Sequence, residues 1–137
     1  MWEQLGDRRY DAIVYCHVLE HLTDPLSTIA LARKHLAPNG RFVVALPNVA
    51  TWRMRLHLLS GRWEYADEGI LDRTHVKFYT RKTAREMLAS AGLEVERERL
   101  LIGEPRGGAI RKGIITAVRS VSPLATAPAF LFVARPV

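Results

Sequence analysis

His17, Glu20 and His21 stand in the order H-x-x-E-H inside CHVLEHLTDP, residues 16 to 25. Spelled that way the stretch matches a zinc-peptidase motif. Its chemistry needs two histidines four residues apart on one helix face, closing on a single ion. The flanks argue against that helix. Tyr10 to Tyr15, YDAIVY, is a short apolar run with β-branched and aromatic residues, which predicts a buried strand. Asp24-Pro25 is a helix start, with Asp24 as N-cap and Pro25 at the first helical position, where its missing N–H costs nothing. His17 to His21 therefore falls between a strand end and a helix start, with room for one turn at most. No third ligand stands at a familiar downstream spacing, so the motif is read as no metal site. His21 is then simply read as hydrogen-bonding backbone at a crowded strand-to-helix corner.

Further along, Trp52, Arg53, Arg55, His57, Arg62, Trp63 and Tyr65 mix positive charge with aromatic rings. With Lys77, Tyr79, Arg81 and Lys82 they could form a nucleic-acid surface, but a solvated basic face over an aromatic core needs less, and nucleic acid is not the expected partner. A peripheral membrane contact through Trp52 to Trp63, lying at an interface, stays open as an added property. Neither an acyl-transfer nucleophile nor a phosphate-cradling loop is present, which leaves hydrolase and nucleotide-triphosphatase chemistry without support.

The elements that must position these residues follow from the rest of the chain. Its 137 residues suit one domain, and the formal charge of +6 bears on association rather than fold. Cys16 is the single cysteine, which excludes a disulfide framework and points to a reducing, cytoplasmic compartment; it is expected as a small buried hydrophobe. There is no leader-like start and no apolar run of about 18 residues. A helix is predicted over Leu26 to Leu36, with Ile29, Ala32 and Leu36 toward the core and Pro38-Asn39-Gly40 ending it. Arg41 to Pro47 is then a strand, giving a strand–helix–strand unit and a right-handed parallel crossover, so the class is α/β. Residues 48 to 79 read as part helix, part irregular excursion. Thr83 and Glu86 have capping-box spacing for a helix ending before Gly92, with Thr80 as a competing cap. Leu93 to Leu101 alternates like a strand near a sheet edge, a loop follows over Gly103 to Gly108, Ile110 to Val121 is a weaker helix, and Ala129 to Ala134 is the last strand.

DAIVYCHVLEHLTDP, LAPNGRFVVALPNV, LDRTHVKFYT and TAREMLASAGLEVE, in this order and spacing, resemble the C-terminal half of class I S-adenosylmethionine-dependent methyltransferases. The flavour is that of ubiquinone-type enzymes and of relatives in glycan or secondary-metabolite pathways, and the likeness runs from Tyr10 to Val137. It implies part of a Rossmann-like, doubly wound sheet in which Ala12 to His17 resembles the fourth strand, Arg41 to Leu46 the fifth, Leu93 to Leu101 the sixth and Ala129 to Ala134 the seventh, antiparallel one. Ligands of such sheets sit at the carboxyl ends of the strands near the switch in strand order. The resemblance therefore places Cys16, His17, Val18 and Glu20 toward S-adenosylmethionine. It places Pro47, Asn48 and Tyr79 toward a small-molecule acceptor, and His21 and His75 where catalysis would occur. Asp72, Arg73 and His75 are equally readable as a polar knot pinning the excursion to the body.

One departure from the family pattern is an absence. The glycine-rich loop after the first strand and the acidic residue ending the second have no counterpart, since Gly107-Gly108 lies too late. About 100 residues of an ordinary member are unmatched. Residues 1 to 137 are thus expected as a single partial domain that lacks the N-terminal cofactor-binding half, and a fragment, a split enzyme and a mis-set start at Met1 all fit. Ile13, Val14 and Tyr15 would then lie on an uncovered edge, which invites a homo-oligomer or a complementary half. A noncatalytic methyltransferase-like interaction module is the alternative to an enzyme.

Overall fold

The computed structural model of the chain describes residues 5–103 and 108–137. Two motifs organise its first half. A strand, β1 (Tyr10–Cys16), ends in a single 3-10 turn over Leu19–His21, and helix α1 (Pro25–Arg33) starts immediately after. Asp24 caps α1 as its composition dictates, its Oδ1 accepting from the Ser27 N–H at 3.1 Å. The first turn carries no helix long enough for two histidines to share a face, so the H-x-x-E-H spelling does not make a helical zinc site.

Strand β2 (Leu36–Pro47) pairs parallel to β1. Its start differs from the expectation of a helix running to Leu36. The helix stops at Arg33, and Leu36 already pairs with Tyr10. Between that pair and Ala12–Arg41 the register shifts, so Pro38-Asn39-Gly40 forms a bulge in the strand rather than a stop between elements. Gly40 is required there, since a Cβ on it would lie 2.7 Å from Leu36 Cγ and 3.0 Å from the Tyr10 carbonyl oxygen. Leu36 keeps its place in the core despite changing element.

Helix α2 (Trp52–Leu59) is followed by the irregular excursion, then by helix α3 (Arg81–Ser90), strand β3 (Leu93–Leu101), helix α4 (Ala109–Val121), the short α5 (Pro123–Thr126) and strand β4 (Ala129–Pro136). Thr80, not the Thr83–Glu86 pair, caps α3. The hydroxyls of Thr80 and Thr83 each accept from the other's backbone N–H, so a second threonine fills the place expected for a glutamate. The middle of the loop expected over Gly103 to Gly108 lies outside the described residues. No helix among the described residues is long and apolar enough to cross a membrane.

The sheet order is β1-β2-β4-β3, with β4 antiparallel to both neighbours. The last strand therefore inserts between β2 and β3, and β3 lies at an edge as its charged alternation predicts. Alternate residues Phe42, Val44 and Leu46 of β2 and Phe130 and Phe132 of β4 point to one face. There they meet Ile29 and Ala32 of α1 and Ala84 and Leu88 of α3 in a single cluster. Tyr15 joins them by stacking on Phe42, ring centroids 6.2 Å apart, and burial pushes its phenol up to about 12. The opposite face is less covered: Val14 is 60% exposed, and Val43, Leu131 and Val133 are half-buried. Cys16 shares that face and is exposed, which corrects its expectation as a buried hydrophobe. Among the described residues β1 pairs only with β2, so its other edge is open.

A charged clamp ties α3 to β3. Glu98, 13% exposed, accepts from Arg81 Nε and Nη2 at 2.6 and 2.9 Å and from Arg85 Nη1 at 2.9 Å. Hydrogen bonds from Arg81, then those from Arg85, hold the Glu98 carboxyl below its ordinary range. A carboxyl depressed in the folded state contributes stability above its unfolded value and loses it as pH falls. Glu98→Gln is therefore expected to cost about 1 kcal/mol at neutral pH, discounted for the half-exposed arginines. In urea melts that difference should fade once pH drops below about 4.5, the ordinary value for glutamate. A difference that persists unchanged at pH 3 would contradict it.

Candidate functional site

The carboxyl ends of β1, β2 and β3 open onto one crevice of about 860 Å³. His17 and His21 line it from the end of β1, Pro47 from the end of β2, and Leu101 from the end of β3. Asp72 and His75 of the excursion line it as well. This is the position at which open α/β sheets hold ligands.

The turn after β1 is built around one buried carboxylate. His17 adopts φ 54°, the left-handed region that a side chain with Cβ rarely enters, and this swings the chain out of the strand. Its Nδ1 lies 3.1 Å from Glu20 Oε1, so with Glu20 ionised the ring donates that bond. Glu20 is fully buried, and its second oxygen, Oε2, has no partner among the described residues.

The excursion folds back onto the same turn. Val76 and Lys77 both donate their N–H to the Glu20 carbonyl, at 2.9 and 3.0 Å, and His21 Nδ1 donates to the Thr74 carbonyl at 3.1 Å. His75 Nδ1 donates to the Ile70 carbonyl at 3.0 Å, and the His21 and His75 rings meet edge to face with centroids 4.7 Å apart. A carbonyl only accepts, so in both rings the proton sits on Nδ1 and the lone pair on Nε2. Asp72 orders the loop beneath, accepting from both the N–H and the hydroxyl of Thr74, which draws its carboxyl below the ordinary range. Arg73 turns away to Asp67 at 3.0 Å. Asp72, His75 and Arg73 thus bond to Thr74, Ile70 and Asp67 within the excursion itself, and the hydrogen bonds that pin it to the body are instead those of Thr74, Val76 and Lys77 to the turn after β1.

Asn48 and Tyr79 stand apart from the crevice lining. Asn48 is fully buried. Its amide donates to the carbonyls of Leu124 and Ala127 at 3.0 and 2.9 Å, and its Oδ1 accepts from the Ala50 N–H at 2.9 Å. All of its side-chain bonding is spent on backbone, fastening the end of β2 to the segment before β4. Tyr79 bridges to Asn48 through backbone and is buried, its hydroxyl without a partner among the described residues. Burial, and secondarily the Glu20 carboxylate, raise its pKa. A second cavity of about 600 Å³ lies under α2 and α4 and shares Ile70, Gly103 and Pro128 with the crevice. Arg53, Arg111 and Arg119 line it, and Arg119 donates to the Gly103 carbonyl at 2.8 Å.

A family model for a methyltransferase domain matches residues 2–98, which span β1 to most of β3. The chain belongs to the methyltransferase domain family. Solved structures agree on the fold. A SAM-dependent methyltransferase from Archaeoglobus fulgidus is 17% identical with TM-score 0.53, over 97% of this chain and 62% of that one. A putative methyltransferase of Haloferax volcanii, solved with a methyltransferase activator, is 15% identical with TM-score 0.60, over 95% and 55%. A Burkholderia thailandensis N-methyltransferase, solved with 1,6-didemethyltoxoflavin and S-adenosylhomocysteine bound, is 15% identical with TM-score 0.56, over 96% and 46%. The chain spans only about half to three-fifths of the length of these methyltransferases. No curated protein matches it by sequence.

Within the methyltransferase fold, β4 is the antiparallel strand that the resemblance implied for the seventh, and its place between β2 and β3 is added by the structure. Of the residues singled out in the sequence, the structure brings His17, His21, Pro47 and His75 to the crevice wall, with Glu20 buried behind them. Cys16 and Val18 flank His17 without lining the crevice. Leu101 to Gly103 and Gly69-Ile70 were not singled out, although they line it. The place of Leu101 to Gly103 at the end of a parallel strand was the available signal.

Proposed function

We propose that the chain forms one wall of an S-adenosylmethionine-dependent methyltransferase site that acts on a small-molecule acceptor, and that the other wall is supplied from outside these 137 residues. The observation that carries this reading is the crevice at the carboxyl ends of β1 and β2, lined by His17, His21, Pro47 and His75 beside an unpaired strand edge. When bound, the cofactor supplies an electrophilic methyl group on a sulfonium.

The residues here fit the methyl-bearing end of such a molecule. The left-handed turn at His17 places that residue in the crevice wall, and Pro47 adds a rigid apolar surface. His21 and His75 contribute Nε2 lone pairs whose directions are fixed by their carbonyl bonds. The acceptor would enter from the adjoining cavity under α2 and α4. Alignment and exclusion of water can supply much of a methyl-transfer rate, so no catalytic carboxylate pair is needed.

Ultraviolet cross-linking of methyl-labelled S-adenosylmethionine, followed by peptide mapping, tests the assignment. Label is expected between Cys16 and Arg33 or in the segment around His75; label confined to α4 would overturn it. The open β1 edge carries its own expectation. Val14 stands exposed on a strand with one free side, so the chain should self-associate, and Val14→Lys should shift it toward monomer in sedimentation velocity. A parent chain that stays monomeric at high concentration would contradict the unpaired edge.

A further inference from the structure

Glu20, His21 and His75 each offer one ligand atom, and these atoms lie within 4.8 Å of one another. Three independent features prepare them. Glu20 is fully buried, yet among the described residues its Oε2 has no hydrogen-bond partner, a costly arrangement for a carboxylate oxygen unless something else meets it. Its other oxygen is occupied by His17. Both imidazoles are held through Nδ1 by backbone carbonyls, which fixes their orientation, sets the tautomer and leaves Nε2 as the donor; metal-bound histidines are held by second partners in the same way.

We propose that Glu20, His21 and His75 bind a divalent first-row transition cation. The donor set of two imidazoles and one carboxylate suits zinc, manganese or iron(II) better than calcium or magnesium, which prefer oxygen shells. His17 is then an outer partner that orients Glu20. Donors about 2.1 Å from an ion stand at most about 4.2 Å apart, so ligation requires the three side chains to close slightly from their separations of up to 4.8 Å. Three protein ligands leave coordination positions open, and since His21 and His75 line the crevice, an oxygen or nitrogen donor in the crevice can complete the shell.

This is a different site from the one the H-x-x-E-H spelling suggests. Its two histidines are His21 and His75, 54 positions apart in sequence. The sequence reading of no metal rested on the lack of a helix to align His17 with His21 and of a third ligand at a familiar spacing, and here the further ligand arrives from the folded-back excursion. The cation site concerns the same crevice as the methyl-transfer reading but does not depend on it, since ion binding is measured without cofactor or acceptor.

The test is calorimetric titration of Zn²⁺ and of Mn²⁺ into the chain carrying Cys16→Ser, which removes the exposed thiol as a competitor. The titration is repeated in that background with Glu20→Gln, His75→Gln and the remote control His57→Ala, and thermal melts are recorded with and without ion. One ion per chain is expected, with affinity lowered by more than about 100-fold in the Glu20 and His75 variants and unchanged in the His57 variant; loss of an outer partner alone costs 10–100-fold. The melting temperature should rise with ion only where both ligands are intact. Metal-free Glu20→Gln should melt no lower than the parent, because it removes an unmet buried carboxylate, and this separates lost ligation from lost folding. Equal affinity in all variants, or no ion bound by the folded parent, would overturn the proposal.

Discussion

Asn48→Asp should unfold the chain or cost it about 3–5 kcal/mol, the largest effect expected of any near-isosteric change near the site. The asparagine amide donates to two carbonyls, of Leu124 and Ala127, in a fully buried position. An aspartate keeps the shape but has no donors, so it sets oxygen against oxygen at about 3 Å and buries a charge; each unmet buried group costs about 1–3 kcal/mol. Asn48→Ala removes the bonds without the repulsion and should cost less, about 2–3 kcal/mol. Urea melts of the three proteins give the order directly. An aspartate variant as stable as the parent would show that the end of β2 is not fastened through this amide. The consequence reaches the crevice, because Pro47 and Pro128 of its wall are adjacent to the segments that Asn48 joins.

Phe42→Ala is expected to cost about 3–5 kcal/mol, the range for deleting a buried aromatic ring. Phe42 is fully buried, stacks on Tyr15 and pairs in register with Ile13 and Ala134. Its ring therefore supports β1, whose far edge is unpaired among the described residues, as well as β2. A domain of this size has only about 5–15 kcal/mol in total, so the loss should bring the melting midpoint close to ambient temperature. Phe42→Leu fills most of the space and should cost about 1–1.5 kcal/mol. If alanine and leucine proved equally tolerated, the core would be looser than its packing implies.

The residues divide by how local their determinants are. Asp24-Pro25 announced the start of α1, because a cap and a proline act within one turn. The end of α1 was not legible. Leu36 continues the helical spacing of Ile29 and Ala32, and only its pairing with Tyr10 makes it the first residue of a strand, with Pro38-Asn39-Gly40 as a bulge. Thr80 and Thr83 were both visible as caps, and the choice between them rested on a mutual hydroxyl exchange that spacing cannot rank.

The site divides in the same way. That His17 to His21 must be a turn between strand and helix followed from its flanks. That His75 meets His21 did not, since it depends on Glu20 receiving two N–H bonds from Val76 and Lys77 across the fold. Asn48 was noticed for its place after a strand, yet its amide serves the backbone, a distinction that only burial and bonding partners reveal.

The most direct test is a titration of S-adenosylmethionine into the isotopically labelled chain, followed residue by residue in amide nuclear magnetic resonance spectra, which register even weak occupancy of a half-built site. Expected are shifts concentrated at His17 to His21, at Asn48 beside Pro47, and at Ile70 to His75. Shifts confined to α4 and α2, or none with the ligand at millimolar concentration, would contradict the assignment of this crevice as a methyltransferase wall.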